Sequence, residues 1–119
     1  MEPKSNPILE RTAAFALNLI KILTKLPRNP ANSILVKQAI RSGTSIGANA
    51  EEAVGASSKK EFTHCMTIAR KETRETRYWL RLILAINSDF REDIVRVGSE
   101  VTELLKILNQ IIKTSRTNP

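Results

Sequence analysis

The stretch Arg41-Ser-Gly-Thr-Ser-Ile-Gly-Ala-Asn-Ala-Glu-Glu-Ala53 carries two ordered lines of residues. Ala39, Gly43, Gly47 and Ala50 fall at i, i+4, i+8 and i+11, which is one face of an α-helix. Glycine costs about 1 kcal/mol relative to alanine inside a helix, so two on one face predict the close approach of another backbone. Beside them Arg41, Ser45, Asn49 and Glu52 repeat the same spacing. A polar line next to a small-residue groove predicts a helix that makes specific contacts.

Outward from this stretch the chain reads as three more amphipathic helices. Upstream, Asn6-Pro7 pairs an N-cap residue with proline at the first helical position. Ile8, Thr12, Phe15, Ala16, Leu19, Ile22, Leu23 and Leu26 follow at 3.6 spacing, and Pro27 is expected to stop the helix at Leu26. Asn29-Pro30 repeats the cap and opens the second helix, which carries Leu35, Ala39, Ile46, Ala50, Ala53 and Val54 on one side. Gly55 is expected to end it in a left-handed cap. Ser58-Lys-Lys-Glu61 reads as a capping box for the third helix. The core stripe of that helix is Phe62, Met66, Ala69, Thr73, Thr76, Leu80 and Ile83, with Cys65, Ile68, Trp79 and Ile86 as a second apolar edge. Its two threonines predict thin packing or contact with the polar line of the second helix. Asp89 with Glu92 marks a fourth start, followed by Ile94, Val97, Val101, Leu104, Leu105, Leu108, Ile111 and Ile112. The tail from Thr114 is expected to fray. Helices at about 7–26, 30–55, 59–87 and 90–114, joined by short links, predict one domain: an all-α, antiparallel up-down-up-down four-helix bundle.

Composition narrows the function classes. One cysteine, Cys65, allows no internal disulfide and points to a reducing compartment. The N-terminal residues lack the pattern of a signal peptide, and no apolar run reaches the roughly 18 residues of a membrane span. The expectation is a soluble cytoplasmic protein without membrane contact. The 19 Lys+Arg against 12 Asp+Glu give a net charge of +7, a balance that favours polyanionic partners.

That charge is unevenly distributed. Residues 1–29 hold five basic and two acidic groups (+3), residues 30–57 two and two (0), residues 58–88 seven and three (+4), and residues 89–119 five and five (0). On the third helix Arg70, Arg74, Arg77 and Arg81 form one stripe of about 16 Å. Arginine forks match phosphate oxygens, which makes these four the candidate nucleic-acid contacts; pairing with glutamates of neighbouring helices or subunits is the competing reading. No aromatic residue is read as interleaving the stripe, so base stacking is not expected.

The neutral charge of the second helix assigns its polar line to protein contacts. Arg41, Ser45, Asn49 and Glu52 are expected to meet Glu72 and Glu75 of the third helix, or a neighbouring subunit, in a structural network that sets register. Catalytic constellations are missing. Glu61-Phe-Thr-His64 resembles half of a di-metal motif, but the chain has a single histidine, so no metal or cofactor is expected. His64 and Cys65 point about 100° apart, a poor nucleophile–base pair.

The order Arg41 to Ala53, then Ser58-x-x-Glu61-Phe62, then Ile68-Ala-Arg-Lys-Glu72-x-x-Glu75-Thr-Arg-Tyr-Trp-Leu80 resembles a family of small bacterial four-helix bundle proteins. That family includes proteins encoded in intervening sequences of 23S ribosomal RNA genes and the accessory variability proteins of diversity-generating retroelements. The resemblance implies an up-down bundle, a ring-like homopentamer, a basic surface directed at RNA or DNA, and no enzymatic activity. The alternative role is an interaction scaffold whose basic face meets an acidic protein partner, or an accessory subunit; the resemblance to retroelement members implies a place beside a reverse transcriptase. The chain departs from many relatives in reading Asn49-Ala-Glu-Glu-Ala53 where they carry an Asn-Ile-Ala-Glu-Gly run.

Overall fold

The computed structural model describes residues 6–117. Its four long helices are α1 (Pro7–Leu23), α2 (Pro30–Val54), α3 (Lys59–Ile86) and α4 (Arg91–Thr117); a 3-10 turn, Ser88–Phe90, leads into α4. Because every link is short, each helix reverses on the one before, and the result is an antiparallel up-down-up-down four-helix bundle. α1 packs on α2 and α4, and α3 packs on the same two, while the diagonal pairs stay apart. The α2–α3 seam is the most extensive and the α1–α4 seam the least.

The starts follow local chemistry. The Asn6 side chain accepts from the Ile8 amide at 3.1 Å, and Asn29 accepts from the Asn32 amide at 2.8 Å, each just before a helix-opening proline. Ser58 accepts from the Glu61 amide at 3.1 Å, but the capping box closes on one side only. The Glu61 carboxylate instead accepts from the Ser57 hydroxyl at 3.2 Å, a donor that competes with the Ser58 amide. Asp89 does not cap α4. The turn before α4 has no side-chain cap, because the side-chain oxygen of Asn87, the residue that precedes it, already accepts from Asn32.

The ends depart from expectation in three places. α1 stops at Leu23, and the amides of Lys25 and Leu26 bond back to Ile22 and Leu23 in a tightened turn. Pro27 denies Leu26 the α conformation, and the tighter turn still leaves Leu26 buried. Gly55 caps α2 with φ −85°, and no described residue takes a positive φ. The amides of Gly55 and Ala56 meet the Glu51 and Ala53 carbonyls without a left-handed step. α4 continues past 114 to Thr117 because Ser115 hydrogen-bonds Thr63 of α3, tying the last turn down. Asn118 and Pro119 lie outside the described residues, as do residues 1–5, on which the absence of a leader was read.

The core is aliphatic. Phe15, Leu19 and Leu23 of α1 meet Ile46, Met66, Ile83 and the α4 series Ile94, Val101, Leu104, Leu108 and Ile112, all almost wholly buried. Val54 and Ile86, expected on apolar faces, are exposed. The glycine face of α2 receives α1. A Cβ at Gly43 would stand 2.2 Å from Leu19 Cδ2, so Leu19 occupies the space of the missing side chain. A Cβ at Gly47 would meet Thr12, including its backbone carbon at 3.8 Å. Only Gly47 therefore answers to a backbone approach; Gly43 is a socket for a side chain. On the α3 side Thr76 shares a 2.7 Å hydrogen bond with Ser42, and Thr73 bonds the Ala69 carbonyl of its own helix. The threonines thus meet a buried serine and their own backbone rather than the exposed polar line.

Candidate nucleic-acid interface

α3 turns Ala69, Thr73, Thr76 and Leu80 into the core, which leaves Arg70, Arg74, Arg77 and Arg81 along one flank. Arg74, Arg77 and Arg81 are exposed and Arg70 is half-buried. Among the described residues none of the four has a carboxylate within ion-pair distance. Pairing with glutamates of neighbouring helices, one half of the competing sequence reading, does not occur among the described residues. Arg70 donates to the Asn109 side chain of α4 at 3.3 Å. Burial pushes its guanidinium below the ordinary arginine value, and the neighbouring charges of Arg74 and Arg116 push the same way. Three cations therefore crowd one place where α3 and α4 meet.

The basic edge is longer than the stripe. Toward the start of α3, an open groove of about 550 Å³ is lined by Lys59, Lys60, Thr63, His64, Thr67, Ser115 and Arg116. Lys60, His64 and Thr67 lead in steps of four and three to Arg70 and then to Arg81, a length of about 32 Å. The lysine and histidine were legible in the spacing, since they continue the arginine series in the chain. Arg116 was not: it arrives from the end of α4. Tyr78 stands beside the stripe on the same helix. It is 53% exposed, four residues after Arg74 and three before Arg81, and packs edge-on against Trp79 with ring centroids 5.2 Å apart.

The second cluster lies across α2 and α3. Arg41 reaches Glu75 at 3.1 Å and Glu72 at 3.5 Å, and its Nε donates to Gln38 at 3.2 Å. Burial raises Glu72 above the ordinary carboxylate range, Glu75 adds to this, and Arg41 offsets part of it. Glu72 Oε2 is buried without a hydrogen-bond donor, and the buried Trp79 Nε1 lacks an acceptor. The rest of the polar line does not join the network. Ser45 donates to the Arg41 carbonyl and Asn49 to the Ser45 carbonyl, the back-bonding open to short polar side chains inside helices. Glu52 is exposed and forms no ion pair among the described residues.

The family model described as 23S rRNA-intervening sequence protein matches residues 4–110. The chain belongs to that family. It is also similar to a crystal structure described as a protein of unknown function from the S23 ribosomal protein family, from Bacteroides thetaiotaomicron. The two are 36% identical with a TM-score of 0.81, over 89% of this chain and 98% of that one. No curated protein matches the chain. In this member of the 23S rRNA-intervening sequence family, Glu61 and His64 stay apart from any metal-ligand cluster: no three His, Cys, Asp or Glu side chains converge among the described residues. No described helix is long and apolar enough to cross a membrane.

Proposed function

We propose that this 23S rRNA-intervening sequence family member is a non-enzymatic, self-associating bundle that binds structured RNA or DNA through phosphate contacts along α3. The observation that carries the reading is the row Arg70, Arg74, Arg77 and Arg81, four guanidinium groups without a carboxylate partner among the described residues. Uncompensated arginines are poised to exchange solvent and counter-ions for phosphate oxygens. Lys60, His64 and Arg116 lengthen the same edge. Self-association, the homopentamer of the family resemblance, repeats this edge and multiplies a weak contact. It also gives a use to the exposed Ile34 and Ile86 beside the Asn32–Asn87 end of the α2–α3 seam, which a lone bundle leaves idle.

A mobility-shift titration with a structured RNA at low salt tests the reading, with light scattering on the same samples. Binding should weaken steeply with salt, and Arg74→Glu with Arg77→Glu should abolish it while the oligomer persists. Absence of binding at micromolar protein sinks the reading. Loss of the oligomer in the double variant reassigns the stripe to a subunit interface.

A further inference from the structure

The α1–α4 seam holds a groove that the nucleic-acid reading does not use. It has a volume of about 460 Å³, with Phe15, Ile22 and Val97 among the side chains that line it. The two helices flank it differently. On the α4 side the charges are already matched: Glu100 with Arg11 at 2.8 Å, and Asp93 with Arg96 at 3.2 Å. On the α1 side Lys21 and Lys25 have no carboxylate partner among the described residues. We infer that this groove docks an amphipathic helix of a protein partner, apolar residues on its floor and a row of carboxylates along the flank that meets Lys21 and Lys25.

The chemistry separates this occupant from a nucleic acid. Apolar lining rewards an apolar helix face and gives nothing to a phosphate backbone. Phe15 and Val97 are almost wholly buried, so neither meets an occupant directly; the apolar contact comes from Ala14 and Ile22, which keep surface in the groove. Asp93 and Glu100 stand in the wall, where a continuous line of phosphates would meet them. A helix charged on one flank avoids them. From Arg11 to Lys21 the groove runs about 15 Å, close to three helical turns. The groove and the basic edge share no lining residue, so the two can be tested apart.

The probe is a fluorescein-labelled peptide of about 14 residues, leucines at i, i+3, i+7 and i+10 and glutamates along one flank, titrated with the full chain. A scrambled peptide of the same composition is the control. The amphipathic peptide should bind at least about tenfold more tightly than the scrambled one, and salt should weaken it. Lys21→Glu with Lys25→Glu should weaken it by tenfold or more while RNA binding persists. Asn18→Trp, a bulky change at an exposed groove position, should weaken it without altering charge. Circular dichroism confirms that both variants fold. No binding, equal binding of the scrambled peptide, or loss of RNA binding in the lysine variant each overturns the inference.

Discussion

Asn32 and Asn87 exchange two side-chain hydrogen bonds, each 2.9 Å long, 55 residues apart in the chain. Asn32 also donates to the Pro27 carbonyl and Asn87 to the Ile83 carbonyl, both at 2.8 Å. The pair clamps the start of α2, the end of α3 and the α1–α2 link at one end of the bundle. Both side chains are buried, so neither amide has ready access to water as a substitute.

Breaking the clamp from one side should cost more than its net worth. Asn87→Ala leaves Asn32 with an orphaned carbonyl oxygen, and the expected loss is about 1–3 kcal/mol in urea denaturation. Asn32→Ala with Asn87→Ala together should cost less than the sum of the single changes, since the partners are removed together. Additive losses would show that the two residues act separately.

Two glycines should respond with opposite signs. At Gly98 a Cβ meets nothing within 4 Å, so Gly98→Ala should stabilise by roughly 0.5–1 kcal/mol through helix propensity alone. Gly43→Ala gains the same propensity but drives a methyl into the buried Leu19. Overpacking of about 1–3 kcal/mol outweighs the gain, and a net loss is expected. Thermal unfolding of the two variants checks the sign of each.

Glu72 makes a pH prediction. Its folded pKa lies above the ordinary value of 4.5, mainly because burial disfavours the anion. The folded state therefore holds this proton more tightly than the unfolded state. The contribution of Glu72 to stability is greatest below the ordinary carboxylate value and is lost as pH rises through its higher folded value. Glu72→Gln should remove this dependence and raise the melting temperature at pH 7 relative to wild type. An unchanged pH profile would mean that Arg41 fully compensates the buried charge.

The composite basic edge predicts that a residue far from the arginines in sequence acts with them. Arg116→Glu should weaken RNA binding several-fold although it belongs to α4, because it lines the basic groove beside Lys60 and His64. Arg74→Gln with Arg77→Gln should lower the dependence of log affinity on log salt by about 1.4–1.8, two phosphate contacts' worth. Equal salt slopes for wild type and variant would place the phosphates elsewhere.

The architecture was largely legible in the chain because its signals are local. Asn6-Pro7, Asn29-Pro30 and Ser58 start helices where the sequence places them, since capping needs only residues two or three positions away. The arginine row was legible for the same reason, as periodicity on one helix. Ends were harder: Ser115 extends α4 through Thr63, and Asn87 leaves the turn before α4 uncapped by serving Asn32, contacts that cross 52 and 55 positions of chain. Mid-helix polar residues were equally ambiguous. Arg41 reaches across to Glu72 and Glu75, whereas Ser45 and Asn49, at the same spacing, bond their own backbone, because only the long side chain spans the gap between helices.

By itself the sequence determined four amphipathic helices, their order, their antiparallel alternation and the row of arginines on the third. These follow from side-chain period, capping and link length, all of which act over a few residues. Only the tertiary structure decided that Leu19 fills the space at Gly43, that Arg116 joins the α3 edge, and that the α1–α4 seam stays open with its lysines unpaired. Those depend on which faces meet and at what height, a choice made by packing between helices distant in the chain.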